Sequence, residues 1–475
     1  MLFSSNIFLF LFLPAVLVGY FLLHNRTLRN VFLFFASLFF YAWGEVYFVF
    51  AMLAVIVFNF RLAMLIDAKR DTRSAKKLLL FIAIAGDLSL LFYYKYFDFA
   101  ITTLNRFILP AEYAFPLRNI ALPIGISFFT FQAISYVIDV YRGTVPVQTK
   151  FIHIGLYISL FPQLIAGPIV RYGTIAEEIE RRKETFGDFS YGVRRFIIGF
   201  GKKMLLANNM AIIADSAFST GDAERSVAFA WLGALSYSLQ ILFDFSGYSD
   251  MAIGLGRMFG FKFLENFNYP YISRSVSEFW RRWHISLGSW FRDYVYVPLG
   301  GSRVKTPRLI FNLLVVWVLT GIWHGASWHF AAWGLLYFVL ITFEKMTGLP
   351  ANLKSVPAKV VYRFLVLLAI LGGWVLFRAD GLRAAVKYAF SMAGMRDNPL
   401  ICDAAIGMFR DYRFFLLFAL LCATPIFSVI KTGLEKTAVG RGMTAFSAAL
   451  YLFIFVWSFS FIVVGAHNPF IYFNF

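Results

Sequence analysis

Charge is what this sequence lacks most. Only 15% of its 475 residues are Asp, Glu, Lys or Arg, against roughly a quarter in a soluble globular domain. Hydrophobic residues make up 60% and aromatics 20%. A chain so poor in charge cannot clothe itself in a polar surface, which excludes a string of soluble domains and leaves a protein dissolved in lipid. Cysteine is almost absent: Cys402 and Cys422 cannot make a disulfide framework, and neither lies in a thiol-nucleophile motif. A Gly-x-Ser-x-Gly elbow, a P-loop and a Gly-x-Gly-x-x-Gly turn following a strand are all missing, which removes the corresponding hydrolase and nucleotide-binding readings. The first apolar run, Ile7 to Leu23, has no charged segment before it and no small-residue cleavage site, so it is expected to be a retained span.

What the chain does have is long apolar runs. They fall at about 7–23, 31–43, 46–66, 78–97, 121–141, 196–218, 228–256, 309–323, 327–343, 361–377, 412–430 and 444–465. At roughly 20 residues per crossing, these predict an all-α polytopic membrane protein of about 11–12 transmembrane helices. Two further segments, 151–170 and 272–301, are apolar but interrupted by Pro, Gly or Arg. Basic sequence flanks each on both sides, so re-entrant or interfacial helices fit better than full crossings. Irregular backbone at membrane depth is tolerated only against protein or a water-filled cavity. Both segments are therefore expected to line an internal cavity.

The few charges are mostly positive: 44 Lys and Arg against 26 Asp and Glu, net +18. They cluster in short loops, at 67–77, 171–195 and 257–308. That pattern marks a cytoplasmic face and would suit anionic lipid head groups or a phosphate-bearing donor. No arginine-rich tail or RNA motif accompanies it, so nucleic acid is not an expected partner. The mixed-sign stretches near 98–119, 219–227 and 378–411 are expected outside, the last as the larger external loop. No motif of the first half recurs in the second, which weakens a two-halves transporter reading. One transmembrane domain over 1–475 is expected, with N-terminal helices over 1–120, a core over 121–345 and C-terminal helices over 346–475.

Three constellations carry chemistry. The first is Trp323-His324-Gly325, an ionisable ring inside one of the most apolar stretches. Such a residue is costly in a bilayer and is a functional-site hypothesis by default; a histidine hydrogen-bonded between packed helices is the plainer alternative. His329 stands five residues on, about 140° around a helix, so the two do not form a metal pair, and no metal site is expected. The second runs from Ser277 through Glu278, Trp280, Arg281, Arg282, Trp283 and His284 to Arg292 and Asp293. As a helix it pairs Glu278 with Arg281 and Arg282 and gathers Trp280, Trp283, His284 and Leu287 on one stripe. It reads as an interfacial amphipathic helix, or as a cavity wall with His284 inward and arginines ready for donor phosphates. The third, Asp244-Phe-Ser246-Gly-Tyr-Ser-Asp250, puts two carboxylates in one span. Six residues apart, they face different ways and suit a structural polar network better than a catalytic dyad.

Glu278-Phe-Trp-Arg-Arg-Trp-His284-Ile-Ser-Leu, Phe291-Arg-Asp-Tyr-Val and Trp323-His324-Gly325 resemble the membrane-bound O-acyltransferase family. Asp244 to Gly256, Glu265-Asn-Phe-Asn-Tyr-Pro-Tyr-Ile-Ser273, the opening Phe3-Ser-Ser-Asn-Ile-Phe-Leu-Phe, Leu122-Pro-Ile-Gly-Ile-Ser-Phe and the closing Pro469-Phe-Ile-Tyr-Phe are similar to its bacterial polymer-acetylating branch. Asn474 departs from the glutamine of that branch's terminal motif. The resemblance implies a helical shell around a tunnel in the bacterial inner membrane. His324 would take the place of the family's invariant histidine, and His284 that of its second conserved polar position. Substrate or donor binding would fall to Arg281, Arg282, Trp283, Trp323, Asp244 and Ser246. No bound cofactor is implied. Acetyl-CoA would be the cytoplasmic donor, and the acceptor an extracytoplasmic polysaccharide such as alginate, reached directly or through a periplasmic SGNH-type partner. Acetylation of cellulose or peptidoglycan, D-alanyl transfer to teichoic acid, or a transporter are the alternatives.

Overall fold

The computed structural model describes residues 1–435, 443–465 and 471, and these are helical with no strand among them. Of the closing motif, only Ile471 lies within the described residues. Among the described residues, seven helices are long and apolar enough to cross a membrane: Phe48–Ala68 (α3), the continuous Phe186–Ser219, Val227–Met258 (α12), Thr306–His324 (α15), Trp328–Thr347 (α16), Val356–Arg378 (α17) and Phe446–Val463. The count becomes eight if Asp403–Cys422 (α19) and Ile426–Gly433, bent by 66°, are one broken span. The chain is thus a multi-pass membrane protein. The count differs from the number of apolar runs because a run need not be one long helix. The run at 31–43 forms part of a 17-residue helix, Arg26–Ala42 (α2). The run at 121–141 starts its helix only at Ile126 (α6, Ile126–Arg142), because Gly125 sits at φ +77°.

The helices form two compact units. The first comprises Met1–Val193 with Ala252–Leu264. Within it α6 packs on α3 and on Arg73–Leu91 (α4), while α2 packs on Phe151–Ser159 (α7). The 151–170 segment is broken as its sequence suggests: α7 stops at Ser159, one short turn spans Phe161–Leu164 (α8), and the chain then runs without helix to Arg171. Gly125 is placed against this break. A Cβ there would come within 2.8 Å of the Leu164 carbonyl oxygen, so a positive φ and a close backbone approach both call for glycine. A charged cluster ties the unit together. Glu184 accepts from Arg26 and Tyr20 and lies 3.1 Å from Arg29, and the buried Arg182 donates to Asn30 Oδ1 at 2.7 Å and to the Phe259 carbonyl at 3.0 Å.

The second unit, Arg194–Met251 with Glu265–Phe475, holds a large aromatic core including Trp283, Trp317, Trp333, Tyr337 and Trp374. Helices α15 and α16 form an antiparallel pair whose backbones nearly touch. A Cβ on Gly321 would collide with the Phe330 carbonyl and lie 3.2 Å from the Gly334 Cα. Small residues facing each other in this way let membrane helices pack closely. The 378–411 stretch, expected as a loop, contains a helix, Leu382–Met392 (α18), and the start of α19.

Candidate active site

The segment expected to be broken at 272–301 is broken at a histidine. Val276–Arg282 (α13) ends, Trp283 and His284 intervene, and Ile285–Phe291 (α14) begins. His284 adopts φ +43°, ψ +55°, a left-handed conformation that is rare for a non-glycine side chain and persists only where surrounding structure fixes it. That structure is visible. Ser275 caps α13, accepting from the Glu278 N–H at 2.9 Å. The buried Glu344 of α16 accepts from the Val276 N–H at 2.6 Å, the Ser277 N–H at 2.8 Å and the Tyr362 hydroxyl at 2.8 Å. On the other side of the break, the Asn266 backbone carbonyl accepts from the Ile285 N–H at 3.0 Å, and its Oδ1 accepts from the Ser286 N–H at 3.1 Å. The first two backbone donors of each helix thus find acceptors from elsewhere in the chain.

His324 is the last residue of α15, followed by Gly325 in extended conformation. Its ring stands 5.0 Å from Trp323, 5.0 Å from Trp333 and 5.2 Å from Phe377, centroid to centroid. The His284 ring is 4.6 Å from Phe245 and 6.0 Å from Trp323, so Trp323 neighbours both imidazoles. The two histidines, 2% and 4% exposed, line one cavity of about 300 Å³ with Trp280, Arg281, Trp283, Gly288, Arg292, Trp317 and Thr320. Of these, Arg281, Gly288 and Arg292 are exposed. The cavity lining therefore combines exposed arginines, tryptophan walls and two buried imidazoles. A second cavity of about 460 Å³ is lined by Asp215, Asp222, Arg225, Arg378, Asp380 and Tyr388 among others.

Such a chamber is suited to proton transfer beside a buried group. Imidazole is the side chain suited to move a proton near neutral pH, and the dry wall strengthens any hydrogen bond formed inside. A chamber of 300 Å³ is at the small end of ligand pockets; it suits the slender end of a substrate rather than a whole nucleotide. Among the described residues no group of three His, Cys, Asp or Glu is placed to hold a metal.

The protein named "Probable alginate O-acetylase AlgI" of Pseudomonas aeruginosa is 44% identical over 392 residues, 81% of this chain and 73% of its own length. The protein of the same name from Pseudomonas putida is 38% identical over the full length of both chains, and a "Peptidoglycan O-acetyltransferase" of Helicobacter pylori is 33% identical over 98% of its length. The model of the membrane-bound O-acyltransferase family matches residues 145–353, which include both histidines. This chain belongs to the membrane-bound O-acyltransferase family. It is therefore an acyltransferase.

Of the residues singled out in this acyltransferase's sequence, the structure brings His324, His284, Arg281 and Trp283 to the cavity wall, with Trp323 packed behind both imidazoles. It does not bring Arg282, Asp244 or Ser246 there. Arg282 turns away to Glu278 at 2.8 Å and to the Asn268 carbonyl at 3.1 Å. Asp244 is buried against Lys203 at 2.6 Å and accepts the Ile471 N–H at 2.7 Å. Ser246 is buried on the same helix. Asp250 is held by Arg195 at 2.6 Å and Lys202 at 2.7 Å. A carboxylate in a span must be neutralised, and each of these two has recruited its cation, the structural network their spacing suggests. His329 contacts Ser327 Oγ at 2.9 Å and is not among the cavity-lining residues. Asn266 and Glu344, which hold the His284 break in place, are the residues sequence reasoning passed over.

Proposed function

We propose that the protein transfers an acetyl group from a thioester donor, acetyl-CoA, to a hydroxyl of an extracytoplasmic polysaccharide, with His324 as general base. The observation that carries this reading is the shared cavity, whose lining holds two buried imidazoles together with the exposed Arg281 and Arg292. The arginines suit donor phosphates, and the narrow wall suits the acyl-bearing arm. His324 takes the acceptor's hydroxyl proton as the oxygen attacks the thioester carbonyl. The C–S bond then breaks and the thiolate leaves as thiol, carrying that proton. A base so placed contributes roughly 10²–10⁴-fold.

Alginate is the acceptor favoured by the relatives, since those named for alginate are 38–44% identical, against 33% for the one named for peptidoglycan and 30% for a "Teichoic acid D-alanyltransferase" of Bacillus subtilis. The chain would sit in the inner membrane with its basic loops in the cytoplasm, and the acetyl group would reach the polymer directly or through a serine of a periplasmic SGNH-type partner. The test is acetyl transfer by purified wild type and His324→Ala, matched for folding, with alginate, cellulose and peptidoglycan fragments as acceptors. A loss of at least 10²-fold in the variant supports the proposal. Full activity would remove His324 from the chemistry, and a preference for peptidoglycan fragments would move the acceptor.

A further inference from the structure

The Asn266 side chain makes contacts that fix more than a helix start. Its Oδ1 accepts from the Ser286 N–H at 3.1 Å and from Ser286 Oγ at 2.9 Å, and it lies 3.1 Å from His284 Nδ1. A backbone N–H only donates, so the Asn266 atom facing Ser286 N is necessarily the oxygen; an exchange of the amide's O and N would set two donors against each other. That same oxygen faces the imidazole. An amide oxygen only accepts, and the other polar group at Nδ1, the Ser286 hydroxyl at 3.5 Å, donates to that same oxygen at 2.9 Å, so the contact is a hydrogen bond when the proton of a neutral His284 sits on Nδ1. Nε2 then carries a lone pair. Nε2 is buried and has no hydrogen-bond partner among the described residues, on a ring that lines the cavity.

We infer that Asn266 is a positioning residue that locks His284 in its Nδ1–H tautomer, so that His284 meets the substrate as a hydrogen-bond acceptor at Nε2. The Nε2–H tautomer generally predominates in free histidine. Here it is disfavoured by the Asn266 oxygen at Nδ1, which the Ser286 N–H orients, while the left-handed backbone of His284 and the Phe245 ring at 88° hold the imidazole against that oxygen. The consequence is a division of labour. A neutral His284 of this tautomer cannot donate to an oxyanion at the thioester carbonyl. It accepts instead, from an amide N–H of the donor's arm or from the attacking hydroxyl. Any oxyanion donor must be another group. The role assigned to Nε2 rests on the acyl-transfer reading above; the tautomer does not.

The experiment separates the two. Histidine nitrogens are labelled with ¹⁵N in full-length protein in lipid nanodiscs, and the spectrum near neutral pH is compared among wild type, His284→Gln and Asn266→Leu. Six histidines make assignment by subtraction practicable. The expected wild-type spectrum contains an Nδ1–H, bare-Nε2 imidazole that vanishes in His284→Gln. In Asn266→Leu, which has similar volume and no acceptor, that form is replaced by the Nε2–H tautomer, and kcat for acetyl transfer falls at least 10-fold with a smaller change in donor KM. A wild-type His284 carrying its proton on Nε2 overturns the inference, as does an unchanged tautomer in Asn266→Leu. The wild-type spectrum decides the tautomer even if Asn266→Leu does not fold. Full activity in His324→Ala beside the expected spectrum would defeat the catalytic reading and leave the tautomer standing.

Discussion

Glu344 carries a load that its position in a long apolar helix disguises, and removing it is the most demanding test of how the site is built. Its carboxylate accepts the Val276 N–H at 2.6 Å, the Ser277 N–H at 2.8 Å and the Tyr362 hydroxyl at 2.8 Å. Two of these donors are free first-turn groups of α13, where a negative charge also meets the positive end of the helix. A hydrogen bond to an ionised acceptor is worth about 1.5–3 kcal/mol, and a buried donor left without one costs about 1–3 kcal/mol. Because the three share one carboxylate they are not additive, and Glu344→Ala is expected to cost about 3–5 kcal/mol. Glu344→Gln is not benign either: its NH₂ must face one of the two backbone donors, so about 2–3 kcal/mol is expected. The unfolding temperature in detergent, followed by tryptophan fluorescence at one scan rate, should fall in the order wild type, Gln, Ala. Transfer activity should fall more than the melting curves alone explain, because α13 carries Arg281 and leads into Trp283 and His284, and a displacement of about 1 Å at a reacting group costs about 10²-fold. An alanine variant that melts and transfers like wild type would refute the clamp, and a Gln variant equal to wild type would refute the role of the charge.

Three other perturbations follow from the packing. Lys203→Met strands the buried Asp244 carboxylate and should cost about 3–5 kcal/mol, whereas adding Asp244→Leu should recover part of that; recovery stays incomplete because the Ile471 N–H loses its acceptor, and equal melting of single and double variants would contradict the pairing. Gly321→Ala drives a Cβ into the Phe330 carbonyl and should destabilise by about 1–3 kcal/mol, while Gly372→Ala on α17, with nothing within 4 Å, should be neutral or stabilising by melting temperature. Burial alone would push the Glu184 carboxyl up, but hydrogen bonds from Arg26 and Tyr20 and the Arg26 charge outweigh it and hold the group at about 2, below its ordinary 4.5. Its stabilisation is thus fully present above about pH 4.5 and is lost as pH falls toward 2, so the melting gap between wild type and Glu184→Gln should be widest near neutrality and close in acid; a gap independent of pH would refute the assignment.

How much of this was legible in the sequence depends on how far each residue reaches. Apolar composition announced a helical membrane protein, because lipid leaves the backbone few alternatives. Helix lengths were less legible: Gly125 cuts α6 short for reasons lodged in the Leu164 carbonyl, nearly forty positions on. Trp280, Trp283, His284 and Leu287 made a convincing stripe on a continuous helix, yet the helix breaks at His284. The Glu278–Arg282 pair survived since both lie within α13, and pairing removed Arg282 from the cavity. Asp244 drew attention as a charge in a span, but its partner Lys203 sits 41 residues earlier, and no local pattern links them.

The two histidines are the sharpest case. His324 ends a regular span, where an imidazole is conspicuous against its neighbours and its meaning is local: the Trp-His-Gly context marks it without help. His284 lies in a segment crowded with arginines and tryptophans, where another polar residue carries little surprise. What gives it a role is remote. Asn266 stands 18 residues away and orients the ring; Glu344 stands 68 from Val276 and fixes the helix before it. Neither is unusual in its own surroundings, since one is an amide in an aromatic loop and the other an acid near a helix end. A candidate site histidine can therefore be noticed in the sequence, while the protonation site it presents is a property of its acceptor. For this enzyme the direction of the His284 hydrogen bond is decided by a backbone N–H two residues beyond it, and that separates an acceptor for substrate from a donor to an oxyanion.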